Sequence, residues 1–315
     1  MNNKVFAVVT LTVAVALAAV TQLIPNDYFF TAAYTVLLFV ILATAWNILG
    51  GYTGYVNFGS AAFFAIGAYT TVFFYNAFKA PLVVGIVAGT LVAGLAGLGL
   101  GYLTLRLRGV FFAIASLALS VVLYIFIVNW DYVGGARGAY VLQPRDVPFG
   151  LQRYIHLIYA VQLVMAAFAL VVARTIEKST LGRGLAAIRD DELAAECSGV
   201  PTLRLKIFST MVSCALMGMA GTTFPYYLSY IEPSSAFSLS YAVNSIAMPL
   251  IGGMMSWTGP LIGAILLGTV QQLVQVTVSS AWNLLIVGVL LVLFVTLAPN
   301  GIMGWVDAWR RRKER

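Results

Sequence analysis

The chain has 315 residues, of which 61% are hydrophobic and only 9% are charged. Soluble globular domains are about half apolar and a quarter charged, so this composition excludes an ordinary soluble domain. The net charge of +7 does not indicate nucleic-acid binding, because the basic residues lie at the ends of apolar runs, where they set membrane orientation. We interpret the chain as an integral membrane protein.

Ten apolar runs, each long enough or nearly long enough to cross a bilayer, follow one another along the chain. A hydrocarbon core about 30 Å thick needs roughly 20 apolar residues in a helix. Barrel strands would alternate apolar and polar residues, whereas these runs are continuously apolar, which favours helices. The sequence therefore predicts an all-α polytopic bundle that forms one transmembrane domain over residues 1–315. The predicted spans are 4–24, 30–49, 56–77, 82–104, 109–129, 155–173, 207–228, 239–253, 259–279 and 281–298.

Two of these segments have a second interpretation. The run 239–253 is short and is also typical of a re-entrant or broken helix. For the chain as a whole, eight spans are the alternative to ten. Residues 1–18 could be a cleaved signal peptide, with Ala16-Leu17-Ala18 as the cleavage site. The apolar run continues to Ile24, which favours a span, and cleavage would leave the later orientation unchanged.

The distribution of Lys and Arg predicts the orientation of the spans. With a cytoplasmic N-terminus, the inside segments carry 14 of these residues and the outside segments carry four. Cytoplasmic segments of membrane proteins are enriched in Lys and Arg, so this split supports the assignment. We therefore expect a multi-pass protein of the plasma membrane with both termini in the cytoplasm.

The polar loop from Arg174 to Lys206 is the most unusual segment of the chain. Its 33 residues hold 11 of the 29 charged residues, and the orientation places it in the cytoplasm. Small apolar residues recur at helical spacing, which predicts one or two short helices along the membrane face. Asp190 is the expected N-cap of the second helix. We interpret this loop as a docking surface for a water-soluble partner.

The sequence lacks the motifs that are typical of nucleotide-binding, metal-binding and catalytic sites. The chain has no P-loop, one histidine and two cysteines, so we expect no ATP site, no metal site and no other cofactor. Ion-driven pumps usually place ionisable groups within the membrane, yet no charged residue falls in the middle of a predicted span. We therefore expect a transport protein rather than an enzyme, with any energy supplied by a partner.

Residues 47–60 read NILGGYTGYVNFGS and interrupt two apolar runs with four glycines and several polar side chains. A simple connection between helices would fit this pattern. A broken helix at depth would fit it too, and irregular backbone within a membrane is tolerated where it lines a cavity. On the second interpretation, the candidate residues of a substrate path are Asn47, Gly51, Tyr52, Asn57, Gly59 and Ser60.

Small residues recur at every fourth position of the fourth predicted span. They are Gly85, Gly89, Ala93, Gly97 and Gly101. Such a stripe allows another helix to approach closely. It predicts helix packing within the chain, with a seam between subunits as the alternative.

Four segments together resemble the LivM-type membrane subunit of branched-chain amino acid ABC importers. They occur in the same order along the chain, and the resemblance extends over nearly the whole chain. The segments are WNILGGYTGYVNFGSAAFFAIGAYT (46–70), RLRGVFFAIASLALS (106–120), GRGLAAIRDDELAAECSGV (182–200) and GGMMSWTGPLIGAILLG (252–268).

The resemblance implies an importer in a bacterial inner membrane, in which the chain and a sister LivH-type permease form the translocation path. Two cytoplasmic ABC ATPases and a periplasmic solute-binding protein are the other implied partners. The resemblance also implies that the loop 174–206 supplies the coupling helix that contacts an ATPase. We carry that role onto Arg183, Ile188, Arg189, Asp190, Asp191 and Glu192.

The solute is not determined by this resemblance. Branched-chain or other hydrophobic amino acids are the first expectation, and related permeases serve urea, short amides or aromatic acids. A stand-alone channel or carrier for a small neutral solute is the alternative from another class.

Overall fold

The structure, a computed structural model, describes residues 3–21, 26–104, 109–143, 153–277, 282–297 and 301–304. The described part of the chain is helical almost throughout. Its α-helices are α1 (Asn3–Thr21), α2 (Asp27–Thr53), α3 (Ser60–Phe78), α4 (Leu82–Thr104), α5 (Val110–Val128), α6 (Tyr154–Glu177), α7 (Thr180–Asp190), α8 (Glu192–Cys197), α9 (Thr202–Thr222), α10 (Phe224–Leu228), α11 (Pro233–Ala236), α12 (Leu239–Gly252), α13 (Thr258–Thr277) and α14 (Trp282–Leu297). Two short strands, β1 (Ala139–Tyr140) and β2 (Tyr230–Ile231), pair antiparallel.

The predicted all-α membrane fold is confirmed. Each of the ten predicted spans coincides with a helix, although 22–24, 278–281 and 298 lie outside the described residues. Seven helical segments of the described chain are long and apolar enough to cross a bilayer. They are Asp27–Thr53, Ser60–Phe78, Leu82–Leu103, Val110–Val128, Tyr154–Glu177, Thr202–Leu228 and Thr258–Val276.

Helix α12 is shorter than a full span. Its 14 residues reach about 21 Å at 1.5 Å per residue, against about 30 Å of hydrocarbon. Pro249 lies inside the helix, and Gly253 follows it with a φ of 116°. The short predicted run 239–253 therefore corresponds to a helix that covers only part of the membrane thickness.

Helices α2 and α9 form the centre of the bundle. Helix α2 packs against α6, α9, α12 and α13, and α9 also packs against α3 and α4. Gly67 of α3 and Gly218 of α9 allow a very close approach, since a Cβ atom on Gly67 would overlap the carbonyl oxygen of Gly218. This closeness gives the centre of the bundle the tight packing typical of membrane helices.

The small residues of α4 face helices of the same chain. A Cβ atom on Gly85 would meet Thr71 of α3, and one on Gly89 would meet Thr222 of α9. Gly97 lies against Cys214 of α9, and Ala93 is fully buried. Gly101, the last of the five, is also buried. The stripe thus lies at the α3–α4–α9 packing surface.

Of the seven helical segments long and apolar enough to cross a bilayer, α5 has the smallest share of buried residues. Its outward side chains include Ile114, Leu117, Val121 and Ile125, all exposed.

Helix α6 runs between the two ends of the bundle. We call the end that carries α7 and α8 the α7 face, and the end that carries β1 and β2 the sheet face.

Candidate functional site

The polar loop folds onto the α7 face as two short helices, as its pattern predicts. The Ser179 side chain caps α7 by accepting from the backbone N–H of Gly182. Helix α7 buries Leu185 and Ile188 and packs against α2, α6 and α9. The apolar side of α7 thus attaches the loop to the bundle.

The N-cap of α8 is Asp191, and the expectation of Asp190 was wrong. The Oδ1 atom of Asp191 accepts from the backbone N–H groups of Leu193 and Ala194, at 2.9 and 3.1 Å. Helix α7 continues through Asp190, whose side chain is 74% exposed and lies 3.3 Å from the Nη2 atom of Arg189. Both carboxylates fit the sequence pattern of an N-cap. Because α7 continues through Asp190, Asp191 is the residue that caps α8.

A buried ion pair joins the start of α8 to α9. The Nζ atom of Lys206 donates to Oε1 of Glu192 at 2.6 Å. The hydroxyl of Tyr55 donates to Oε2 of the same carboxylate, also at 2.6 Å, and accepts from Lys206 at 3.2 Å. Tyr55 belongs to the connection between α2 and α3, so these three side chains link the polar loop to the membrane core.

Arg189 makes a second contact between the loop and that connection. Its Nη1 atom donates to the carbonyl oxygen of Gly51 at 3.4 Å. Gly54 ends α2 with a φ of 78°, and a Cβ atom there would lie 3.3 Å from the Cγ atom of Arg189. The position therefore requires glycine for its backbone and leaves little room for a side chain.

A third contact involves Glu177 at the end of α6. Its Oε2 atom accepts from the backbone N–H of Trp257 at 2.5 Å and from the hydroxyl of Tyr52 at 3.2 Å. Glu177 and Tyr52 also line a cavity of about 190 Å³ at the α7 face, together with Arg183 and Arg189.

The six predicted coupling residues therefore divide into two groups. Ile188, Arg189 and Glu192 point toward the bundle, as the contacts above show. Arg183, Asp190 and Asp191 are exposed at the α7 face. A partner on this face would touch the second group, whereas the first group connects the loop to the membrane helices.

Residues 54–59 form an extended connection that returns into the bundle beside α2. The Nε1 atom of Trp46 donates to the carbonyl oxygen of Asn57 at 2.9 Å, two turns before the end of α2. The N–H of Phe58 donates to the hydroxyl of Ser116, in the interior of α5. Helix α3 therefore begins within the bundle, and the structure combines a helix connection with irregular backbone at depth.

The six candidate residues of a substrate path do not share one cavity. Asn47, Asn57 and Ser60 are buried in the chain, and Tyr52 lines the small cavity at the α7 face. Gly51 lies against Asn47, and Gly59 against Asn57 and Ser116. Their neighbours Phe58 and Ala61, however, line a larger cavity.

That larger cavity has a volume of about 420 Å³ and lies between the start of α3, α5 and the α11–α12 segment. Its lining combines apolar side chains with four hydroxyl groups, those of Ser120, Tyr124, Ser234 and Ser238. Another cavity, of about 360 Å³ between α3, α4 and α5, is lined almost entirely by apolar and aromatic side chains. The mixed lining makes the first cavity the better candidate for a polar solute.

Metal ligands do not cluster in the described residues: no group of three or more His, Cys, Asp or Glu side chains could hold an ion there.

The sequence model of the family described as "Branched-chain amino acid transport system / permease component" matches residues 28–295. The chain belongs to this permease family.

Individual relatives agree with the family assignment. The permease is 27% identical over 327 residues to the high-affinity branched-chain amino acid transport system permease protein LivM of Escherichia coli. The alignment covers 96% of this chain and 75% of the relative. The LivM protein of Salmonella typhimurium is 26% identical over the same lengths. A probable LivH permease of Methanocaldococcus jannaschii is 25% identical over 88% of this chain and 91% of the relative. No solved structure matches.

Sequence reasoning did not single out Leu193, an exposed apolar side chain of the polar loop, as a site residue. Leu193 in α8 is 58% exposed, beside the exposed residues Asp191 and Ala194. A leucine is expected to be exposed in the lipid region but not in a polar loop. The position of Leu193, next to two acidic residues in a helical segment, is the sequence signal that could have identified it.

Proposed function

We propose that this permease is one of two membrane subunits of an ATP-driven importer for branched-chain or other hydrophobic amino acids. The second subunit is a LivH-type permease, and the two together enclose the path of the solute. Two ATPase subunits bind the α7 face, and a solute-binding protein delivers the amino acid at the sheet face. The importer resides in a bacterial inner membrane with the α7 face and both termini in the cytoplasm.

One observation carries the proposal most strongly. The Glu192–Lys206–Tyr55 contact connects a surface-exposed loop to the irregular connection 54–59 inside the bundle. A movement of α8 therefore displaces the segment that leads into α3.

Coupling follows from linkage between the states of the partners and of the permease. ATP binding draws the two ATPases together, and the α7–α8 loops move with them. The membrane helices then exchange between an arrangement open to the sheet face and one open to the α7 face. ATP shifts this equilibrium only by as much as the ATPases bind one arrangement more tightly than the other. Hydrolysis takes place on the ATPases, and the permease itself carries out no chemical step.

Copurification and transport test the proposal together. The tagged permease is expressed with the proteins encoded beside it, purified, and reconstituted into liposomes. We expect a LivH-type permease and ATPases to copurify, and labelled leucine to accumulate only when ATP and the binding protein are both supplied. Leucine uptake by the permease alone, without ATP, would contradict the proposal and favour a stand-alone carrier. ATP-driven uptake of urea or a short amide in place of leucine would contradict the solute assignment only.

A further inference from the structure

Helices α4 and α5 each expose one side to the surroundings of the chain, but the two sides differ in chemistry. Every exposed residue of α4 over 82–103 is a Val, a Leu or a Tyr. The exposed side of α5 instead borders the 420 Å³ cavity, since its lining residues Leu117, Val121 and Tyr124 are all exposed. The cavity is therefore open, at α5, toward the outside of the described chain.

Two of the four hydroxyl groups that line this cavity lie in the interior of a membrane span. Ser120 and Tyr124 belong to α5, which extends from Val110 to Val128. Polar groups that face hydrocarbon are unfavourable, whereas water or the polar groups of another protein surface give them hydrogen-bond partners. An opening bordered by hydroxyl groups therefore fits a neighbour other than lipid.

The wall opposite α5 contains irregular backbone at membrane depth. Helix α12 ends at the α7 face, where Gly51 lies against the carbonyl oxygen of Met254. Its length of about 21 Å leaves about 9 Å of a 30 Å hydrocarbon core on the sheet side. The segment 232–238, which contains only the four-residue helix α11, crosses this remainder. Irregular backbone at such depth is tolerated where protein or water covers it, but not where lipid touches it.

A carboxylate belongs to the same wall. The hydroxyl of the lining residue Ser234 donates to Oε1 of Glu232 at 2.7 Å, and Glu232 is exposed. Ionisable groups of membrane proteins face other protein or a water-filled space, because contact of a charge with lipid is costly. The open side at α5 is therefore suited to water and protein, whereas the exposed side of α4 is suited to lipid.

We propose that the second permease subunit binds this permease at the α5 face, which consists of the exposed residues Leu117, Val121 and Tyr124 together with the segment 232–239. The two subunits enclose the cavity as a water-filled space, and α4 faces the lipid. The inference rests on the proposed function, because it assumes a second permease. That partner is of the LivH type, to which this chain is itself similar, so the two subunits are expected to pair through like surfaces about an approximate two-fold axis.

Photo-cross-linking in the assembled transporter tests the α5 face. The photoreactive residue p-benzoylphenylalanine replaces Val121, which is 53% exposed near the middle of α5. The variant is expressed with the proteins encoded beside it, and intact membranes are irradiated. We expect a product that carries the tags of both permeases. The same replacement at Leu91, which is 61% exposed near the middle of α4, is the matched control and is expected to give no such product.

Thiol modification tests the water content of the cavity with a smaller substitution. Ser120→Cys and Leu91→Cys are each introduced with Cys197→Ser, which removes the exposed native thiol, while the native Cys214 is buried. The reactive species is the thiolate, which forms in water and not in hydrocarbon. We therefore expect a charged methanethiosulfonate reagent to modify residue 120 at least about tenfold faster than residue 91. Equal rates at the two positions would overturn the inference.

The cross-linking outcomes separate the α5 face from its alternatives. Products of equal yield from residues 121 and 91, a product that joins two copies of this chain, or no protein product from residue 121 would each overturn the inference. Copurification of the second permease with the parent chain is measured in parallel. Copurification without a product from residue 121 overturns only the assignment of the α5 face, whereas a lack of copurification overturns the proposed function itself.

Discussion

The Nζ atom of Lys206 lies 2.6 Å from the Oε1 atom of Glu192; Lys206 is 3% exposed and Glu192 is 14% exposed. The two residues belong to α9 and α8, so the pair attaches the polar loop to a membrane helix. Tyr55 completes the cluster from the connection that leads into α3. These contacts connect the polar loop to the membrane segment that leads into α3.

Replacing Lys206 is therefore expected to destabilise the permease. Lys206→Met removes the ammonium group that donates to Glu192 and to Tyr55, and loss of one partner of a buried pair costs about 3–5 kcal/mol. The melting temperature of the purified protein, followed by tryptophan fluorescence in detergent, measures the effect. Lys178→Met is the control, since Lys178 is an exposed lysine of the same loop. Equal melting temperatures for the two variants would contradict a stabilising role for the pair.

The double variant Lys206→Met, Glu192→Leu separates the ion pair from general packing. Replacing both members of the pair by apolar residues removes the cost of burying the carboxylate, so we expect the double variant to regain much of the stability that Lys206→Met loses. ATP-driven uptake by the double variant should be lower than uptake by the parent, because the ionic link between the polar loop and the connection 54–59 is absent. Normal uptake would show that apolar packing alone transmits the movement of α8.

Much of the helical architecture could be predicted from the apolar runs, because lipid permits few alternatives to helices. Helix α4 begins and ends at the predicted residues, 82 and 104. The start of α3 was placed at residue 56, whereas the helix begins at Ser60. The difference has a local cause: the Asn57 side chain accepts from the N–H of Gly59, which holds the backbone in a turn before the helix begins.

The site depends on contacts that no local pattern contains. Glu192 meets Lys206 across 14 residues and meets Tyr55 across 137 residues. The 420 Å³ cavity combines residues from three distant parts of the chain, near 58–61, 117–124 and 234–242. The glycine-rich segment 47–60 contributes Phe58 to the lining of that cavity, but its own polar side chains are mostly engaged within the bundle.

The close approach of α3 and α9 gives a prediction about packing. Gly67→Ala places a methyl group where it overlaps the carbonyl oxygen of Gly218, so the two helices must move apart. Such overpacking costs about 1–3 kcal/mol, and the melting temperature should fall accordingly.

Gly99→Ala is the matched control for the Gly67 substitution. Both glycines lie inside long helices, but a Cβ atom on Gly99 meets no other atom within 4 Å. Alanine favours a helix over glycine by about 1 kcal/mol, so this variant should be as stable as the parent or slightly more stable. A loss of stability in Gly99→Ala equal to that of Gly67→Ala would contradict the packing explanation.

Gly54 is expected to affect transport more than stability. Gly54→Ala requires a left-handed backbone that costs an alanine about 1–2 kcal/mol, and it brings the new methyl group against Arg189. Gly199→Ala bears a similar strain, with a φ of 82°, but it has no atom within 4 Å of the new methyl group. We expect similar melting temperatures for the two variants and reduced ATP-driven uptake for Gly54→Ala alone. Equal uptake by both would exclude a role for the Arg189 contact.

Leu193 is expected to anchor the partner that binds the α7 face. Its side chain is 58% exposed in a polar loop, and exposed apolar residues beside charged ones are typical of docking surfaces. Leu193→Asp adds a charge that must be desolvated on binding, and truncation or reversal of such an anchor commonly costs about 2 kcal/mol or more. Copurification of the ATPases with the tagged permease should therefore fall by more than about tenfold, while the melting temperature of the permease itself stays unchanged.

Leu181→Asp provides the comparison for Leu193→Asp. Leu181 is 37% exposed at the other end of the loop, in the first turn of α7, where a carboxylate is compatible with the helix dipole. The same charge in the same loop should leave ATPase copurification and uptake close to those of the parent. If both variants lose the ATPases equally, the loop responds to its total charge, and Leu193 is not a specific anchor. If neither variant loses them, the ATPases bind elsewhere on the α7 face.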